Sequence, residues 1–284
     1  MKICRYDDNR VGIVEGDSLR DVTEALSALP SLRWPVPPGD QLIANLGAFS
    51  RAVERISEPA SRPLSDARLL SPVPNPTKIV GAPVNYAKHL DESRVDQGIH
   101  FDREIKTIDY YGLFLKSTTS MIGPSDQIAL RFTDRRNDHE VELVAVIGKT
   151  ADRVSREDAL GYVAGYTVGL DMTVRGTEAR SFRKSIDTYT VIGPWLVTAD
   201  EIGDPGNLDL ELTVNGEMRQ QSNTRYLIYD VPRLIEYASS FYTLYPGDMI
   251  MTGTPEGVGP VRAGDAIVAT VSGIGSIEIG VREA

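Results

Sequence analysis

The most chemically suggestive stretch of this 284-residue chain is NDHEVELVAVIG, residues 137 to 148. Side chains on a strand alternate between faces, so Glu140 and Glu142 point the same way, followed on that face by Val144 and Val146. Val141, Leu143, Ala145 and Ile147 take the other face. A strand this apolar on both sides is expected to be buried on both sides. Two carboxylates there repel each other and lose hydration, at roughly several kcal/mol per ion, and a hard divalent cation removes both problems. Asp171 is a third acid in a similar setting, closing the apolar run YTVGL and opening DMTVR. Three carboxylates without a nearby cysteine suit Mg²⁺ or Mn²⁺, with water completing the shell, better than Zn²⁺. The E-x-E spacing alone also allows a strand end at which one or both Glu face solvent.

The elements that must hold these acids fall into two regions. Residues 1–66 read as a small N-terminal α+β domain. Met1 to Tyr6 and Arg10 to Glu15 are strand-like runs about a polar turn, Asp21 to Leu29 is a short helix capped by Asp21, and Asp40 to Ile56 is apolar at helical spacing. Leu69 to Pro76, with three prolines, reads as a linker. Residues 67–284 are dominated by β signals, at Lys78 to Ala82, Tyr111 to Lys116, Val141 to Ile147, Tyr162 to Leu170, Leu208 to Val214, Met249 to Thr252, Ala266 to Val271 and Ser276 to Val281. Asn215-Gly216 marks a hairpin. Helices are expected at Ser155 to Tyr162, capped by Ser155, and at Val231 to Ser240.

Composition narrows the function classes. The net charge of −10 repels phosphate backbones and argues against nucleic-acid binding. No run approaches the roughly 20 apolar residues of a membrane span, and the N-terminus lacks the apolar stretch of a signal peptide. A single cysteine, Cys4, forms no internal disulfide, and together these features suggest a cytosolic setting. No nucleotide-binding fingerprint is present.

From about Lys78 to Val281 the chain resembles the fumarylacetoacetate hydrolase family. Seven segments carry the resemblance in order: KIVGAPVNYAKHLDE (78–92), LFLKSTTSMIGP (113–124), EVELVAVIGKTADRVS (140–155), GYTVGLDMTVR (165–175), KSIDTYTVIGPWLVTADEI (184–202), LTVNGEMRQQSNT (212–224) and LYPGDMIMTGTPEGVG (244–259). The resemblance implies an α+β, mostly β fold, with mixed sheets rolled around one Mg²⁺ or Mn²⁺ per chain, and a homodimer. It implies Glu140, Glu142 and Asp171 as metal ligands. It also implies a short helical lid bearing His89 and Glu92, which activate water; their spacing puts both on one helix face. Lys184 is implied as the stabiliser of a developing oxyanion. Lys116, Arg175, Glu178 and Thr254 fall on pocket-lining positions. Read without the resemblance, His89 is better taken as an ordinary surface histidine on a polar helix, and Lys116 can be a solvated strand-end charge. His139 should face away from Glu140 and Glu142 as a packed residue, His100 has no assigned role, and Trp195 is expected in the core.

The chain departs from the family pattern after Asp171. Where members read Ser-Ala-Arg-Asp-x-Gln, this chain has Thr173, Val174, Arg175, Gly176, Thr177 and Glu178. The segment from Arg175 to Lys184 is also short, and Arg180 and Arg183 crowd into it. Our hypothesis is that this loop reshapes the pocket and that Arg180 or Arg183 pairs with Glu178 or with a substrate carboxylate. The reading that follows is a metal-dependent hydrolase cleaving a C–C bond in a 1,3-dicarbonyl 2-oxo acid of acylpyruvate or fumarylpyruvate type. The same groups would serve a hydratase, an isomerase or tautomerase, or a decarboxylase of acids such as oxaloacetate. Gly176 and Glu178 alone favour a non-catalytic metal-binding homologue.

Overall fold

The computed structural model describes residues 1–284. It has the mostly β, mixed-sheet arrangement expected. A twelve-stranded sheet dominates. From one edge ten of its strands run Ser61–Pro63, Ser18–Asp21, Arg10–Glu15, Lys2–Tyr6, Thr190–Thr198, Val163–Asp171, Val141–Ile147, Met249–Met251, Ile79–Gly81 and Phe114–Lys116, and the other two, Leu69–Leu70 and Met121–Ile122, pair with Lys2–Tyr6 and Thr190–Thr198. A five-stranded sheet packs against it, in the order Glu217–Asn223, Asp209–Val214, Ala266–Val271, Gly275–Glu283, Gln127–Leu130. Thr173–Val174, Asn137–His139 and Gly259–Pro260 form a small third sheet beside the acids.

The alternation of Val141–Ile147 is realised in the packing. Val141, Leu143, Ala145 and Ile147 enter the main core, with Leu210, Leu212, Ile267 and Ile277 of the five-stranded sheet. Val144 and Val146 face the opposite way, onto Ile192, Met249, Met251 and Ile43 of the N-terminal region. Removing one such fully enclosed side chain, as in Leu143→Ala, costs about 2–5 kcal/mol. Because the strand is fixed on both faces, the carboxylates it carries are held by the stiffest part of the molecule.

The N-terminal strands extend the large sheet, since Lys2 and Ile3 pair with Val197 and Leu196. Their own apolar cluster joins Ile3, Val11, Ile13, Phe49 and Val53. Several local expectations are corrected. The segment after Asp21 is a 3₁₀ helix, Thr23–Ala28, because Asp21 ends a strand and its carboxylate accepts from the Thr23 N–H at 2.9 Å. The helix expected over 40–56 is two, Gln41–Ala44 and Leu46–Val53, broken at Asn45, whose amide donates to the Gln41 carbonyl at 2.8 Å. Of Ser155 to Tyr162 only Ala159–Tyr162 is helical, as a 3₁₀ turn, while Ser155 and Asp158 bond each other upstream. Thr190–Thr198 was not anticipated, because Gly193-Pro194 interrupts its pattern. The proline sits where the register with Val163–Asp171 shifts, so no ladder hydrogen bond is lost. Trp195 is half-buried, donating from its indole nitrogen to the Ile274 carbonyl at 2.7 Å. The hairpin at Asn215-Gly216 forms as expected, with both residues at positive φ. No helix is long and apolar enough to cross a membrane.

Candidate active site

The site grows from one antiparallel pair of strands. Val141 lies opposite Leu170 and Glu142 opposite Gly169, which places Glu140 beside Asp171, whose N–H donates to the Glu140 carbonyl at 2.9 Å. Glu140, Glu142 and Asp171 therefore share one face at one end of the pair. Carboxylate oxygens of all three lie within 4.8 Å of one another, and all three residues are buried. Gly169 is required here, because a Cβ at that position would stand 2.6 Å from Val144.

Three cations answer this charge unevenly. Lys116 is wholly buried and paired with Asp171, and also donates to the Tyr189 carbonyl. Lys184 donates at 2.6 Å each to Glu140, Asp171 and the Thr173 hydroxyl. Arg175 bridges Glu140 at 3.0 Å and Asp138 at 2.7 Å. Burial alone would raise the Glu140 carboxyl, but Lys184 and Arg175 bring it down to about 2. Glu142 has only the Gly253 N–H, at 2.7 Å, and no cationic partner. Burial and then the charge of Asp171 hold its carboxyl well above the usual range. Three oxygen donors, one of them with its charge uncompensated, fit a hard divalent cation.

Across a small cavity lies the helix Ala87–Val95, carrying His89. The His89 Nδ1 is 2.9 Å from Glu92 Oε2, and the Gly257 N–H donates to Glu92 Oε1 at 2.9 Å. This network assigns the proton to Nδ1 and leaves the Nε2 lone pair free apart from a long contact with Ser93, at 3.4 Å. Thr254 lines the same cavity, its hydroxyl accepting from Gln220 at 2.8 Å. His139 is enclosed away from the acids, with Nδ1 3.2 Å from the Gln220 carbonyl oxygen, as a packed residue should be. The cavity is narrow and holds about 60 Å³, room for about two waters.

Of the residues singled out from sequence, His89, Glu140, Glu142, Asp171, Arg175, Lys184 and Thr254 meet around this cavity. Glu92 stands behind His89, and Lys116 stands behind Asp171 rather than on the cavity wall. Glu178 is not brought in: it is exposed and gripped by the fork of Arg135 at 3.0 and 2.9 Å. Gly176 makes that grip possible, since a Cβ there would lie 2.0 Å from the Arg135 fork. The two departures from the family pattern thus act together. Arg135, not Arg180 or Arg183, holds the Glu178 carboxylate, while Arg183 reaches only the Glu178 main-chain carbonyl at 2.9 Å, which corrects that half of the hypothesis. Sequence reasoning also missed Asp138, Gln220 and Arg136. Asp138 had a signal, because the alternation of acids on Glu140 and Glu142 begins at Asp138. Gln220 had none, being one polar residue in the polar strand Glu217–Asn223.

Comparison with known proteins is consistent with this geometry. A sequence profile of the fumarylacetoacetate (FAA) hydrolase C-terminal region matches residues 78–282. Maleylpyruvate hydrolase of Aquipseudomonas alcaligenes is 56% identical over 288 residues, covering 99% of each chain. The 2,4-didehydro-3-deoxy-L-rhamnonate hydrolase of Sphingomonas sp. (strain SKA58) is 36% identical, over 100% of this chain and 93% of that one. The crystal structure of maleylpyruvate hydrolase from Sphingobium sp. SYK-6, in complex with manganese(II) and pyruvate, superposes with a TM-score of 0.85 at 40% identity, covering both chains completely.

Proposed function

The chain belongs to the fumarylacetoacetate hydrolase family, and from that premise we propose that it is a Mn²⁺- or Mg²⁺-dependent hydrolase that cleaves a C–C bond in an acylpyruvate such as maleylpyruvate. The observation that carries the reading is the His89–Glu92 pair on its helix, facing three clustered carboxylates across a narrow cavity. Glu140, Glu142 and Asp171 would hold the ion. When bound, it supplies Lewis acidity to the 2-oxo end of the substrate.

The remaining work falls to the chain. His89 Nε2 accepts a proton from water, and Glu92 fixes the ring and stabilises the imidazolium that forms. The water oxygen bonds to the distal carbonyl carbon, whose oxygen takes the carbonyl electron pair. Lys184 is the ammonium nearest the cavity, and with Glu140 and Asp171 engaged by the ion it is free to donate to that oxygen. As the carbonyl re-forms, the C–C bond breaks and its electron pair passes to C3 of the pyruvate fragment, which takes the proton back from His89. The products are pyruvate and the acid of the acyl arm. The 60 Å³ cavity is too small for such a substrate, so the helix Ala87–Val95 must move to admit it. Glu92 ties that helix to the chemistry, because it holds both His89 and the Gly257 N–H.

A base poised over the cavity favours hydrolysis over tautomerisation or decarboxylation, which need no attacking water. The test is loss of the acylpyruvate enol absorbance, with and without EDTA, by the wild type and by His89→Ala. Loss that needs both metal and His89 supports the reading; metal-dependent loss that survives in His89→Ala sinks the water-activation step.

The reading extends to the whole molecule. Residues 1–66 form a small domain annexed to the sheet of a catalytic region, 67–284, supported by their separate apolar cluster. The enzyme works as a cytoplasmic homodimer, supported by the large exposed apolar side chains Tyr110, Leu115, Phe182 and Phe241.

A further inference from the structure

We propose that Arg180 recognises the carboxylate at the far end of the acyl arm, and thereby selects carboxylated acylpyruvates over uncharged ones. This rests on the hydrolase reading above and names the group that sets its substrate range. Four cations line the cavity: Arg175, Arg180, Arg183 and Lys184. Arg175 is committed to Asp138 and Glu140, and Lys184 is already assigned to the oxyanion of the cleavage step. Arg183 donates to two main-chain carbonyls, those of Glu178 at 2.9 Å and Val174 at 3.1 Å. Arg180 has no acidic partner in the protein.

Its placement suits a ligand. The guanidinium carbon lies 3.8 Å from the centre of the Tyr111 ring, so the cation is supported by an aromatic face. The Tyr111 hydroxyl is held in turn by the Lys106 N–H at 3.2 Å and the Glu104 carbonyl at 3.3 Å. Burial presses the pKa of Arg180 down, the mark of a desolvated cation that an anion would stabilise. With Pro83 and Phe114, Arg180 lines both the narrow cavity and an adjoining groove of about 440 Å³, whose outer edge at Leu115 borders the apolar face assigned above to the dimer. An acyl arm longer than the narrow cavity admits must extend past this wall. The loop is pinned by the Arg135 grip on Glu178, so both departures from the family pattern serve to present Arg180.

The test compares Arg180→Met and Arg180→Lys with wild type on maleylpyruvate and on acetylpyruvate, whose acyl arm has no charge. A lost charge-assisted fork predicts a KM for maleylpyruvate raised about 10- to 100-fold in Arg180→Met. The loss should fall on maleylpyruvate, so that the ratio of its kcat/KM to that of acetylpyruvate drops about 10-fold or more. Arg180→Lys should restore part of the loss, since it keeps the charge without the fork. Equal losses on both substrates, or no loss on either, overturn the proposal. Calorimetric binding of maleate to the Mn²⁺-loaded, pyruvate-saturated protein separates this from failure of the hydrolase reading. Weaker maleate binding by Arg180→Met supports the clamp even if no acylpyruvate is turned over, and unchanged binding refutes it.

Discussion

Glu142→Gln separates the metal role of the acids from a structural one by the sign of its effects. The amide is nearly isosteric and keeps an oxygen for the Gly253 N–H, now 2.7 Å away. It removes a carboxylate that burial and then the charge of Asp171 disfavour, that Lys184 offsets only in part, and that no cation contacts directly. Without metal, the variant should therefore be as stable as the wild type within about 1 kcal/mol, or more stable. With metal at about 100 times the wild-type dissociation constant, binding stabilises the wild type by about 2.7 kcal/mol. If losing one of three charged donors weakens binding about 100-fold, the same metal stabilises the variant by only about 0.4 kcal/mol. At roughly 2–4 °C per kcal/mol for a chain of this size, Mn²⁺ should raise the melting temperature by about 5–10 °C in the wild type and about 1 °C in Glu142→Gln. The assay is thermal unfolding in EDTA and in Mn²⁺. An equal rise in both proteins would refute the assignment of Glu142 as a ligand. A large loss of stability in EDTA would show that the carboxylate serves the fold.

Other consequences are open to direct measurement. Glu92→Gln should lower kcat about 10- to 100-fold while leaving Mn²⁺ affinity unchanged, because Glu92 touches His89 and Gly257 and none of the three clustered acids; a parallel loss of metal affinity would contradict its placement. Gln220→Leu strips the partners of Thr254, His139 and the Val141 N–H, and should cost about 1–3 kcal/mol in denaturant unfolding, where a neutral result would mean these groups need no partner. Burial pushes the Cys4 thiol up to about 12, so the native protein should resist thiol reagents at pH 8 and react only on unfolding. The sign follows from the raised value: the stabilisation is complete below the unfolded thiol's pKa, near 9, and is lost as pH rises from there toward 12. Cys4→Ala should flatten that alkaline decline, and rapid native labelling at pH 8 would refute the enclosure.

How much was legible beforehand depended on how local the signal was. The strand Val141–Ile147 and its two apolar faces were readable because period-two alternation survives on a strand buried on both sides. The meeting of Asp171 with Glu140 and Glu142 required the antiparallel register, which alternation alone does not specify; the family resemblance supplied it. The strand Thr190–Thr198 was hidden because Gly193-Pro194 opposes strand propensity locally while tertiary pairing overrides it. The helix over 40–56 was over-extended for the opposite reason, since the apolar spacing continues through Asn45 but the backbone does not. Glu178 illustrates a limit of transfer by position. It aligns with a pocket residue of the family, yet here Arg135, distant in sequence, draws it to the surface through the space that Gly176 leaves open. Arg180 was legible only as one of two arginines in a short loop. Which of them was left for a ligand became visible once Arg183 was seen donating to the main-chain carbonyls of Glu178 and Val174.

The central claim is that water activated by His89 cleaves a C–C bond, and isotope incorporation tests it most directly. Maleylpyruvate would be turned over in H₂¹⁸O with Mn²⁺, and the products resolved by mass spectrometry. The account predicts pyruvate and maleate in equal amounts, with one ¹⁸O in the new carboxylate of maleate and none of this product in His89→Ala. Conversion to an isomer without release of pyruvate, or release of carbon dioxide in place of maleate, would contradict it.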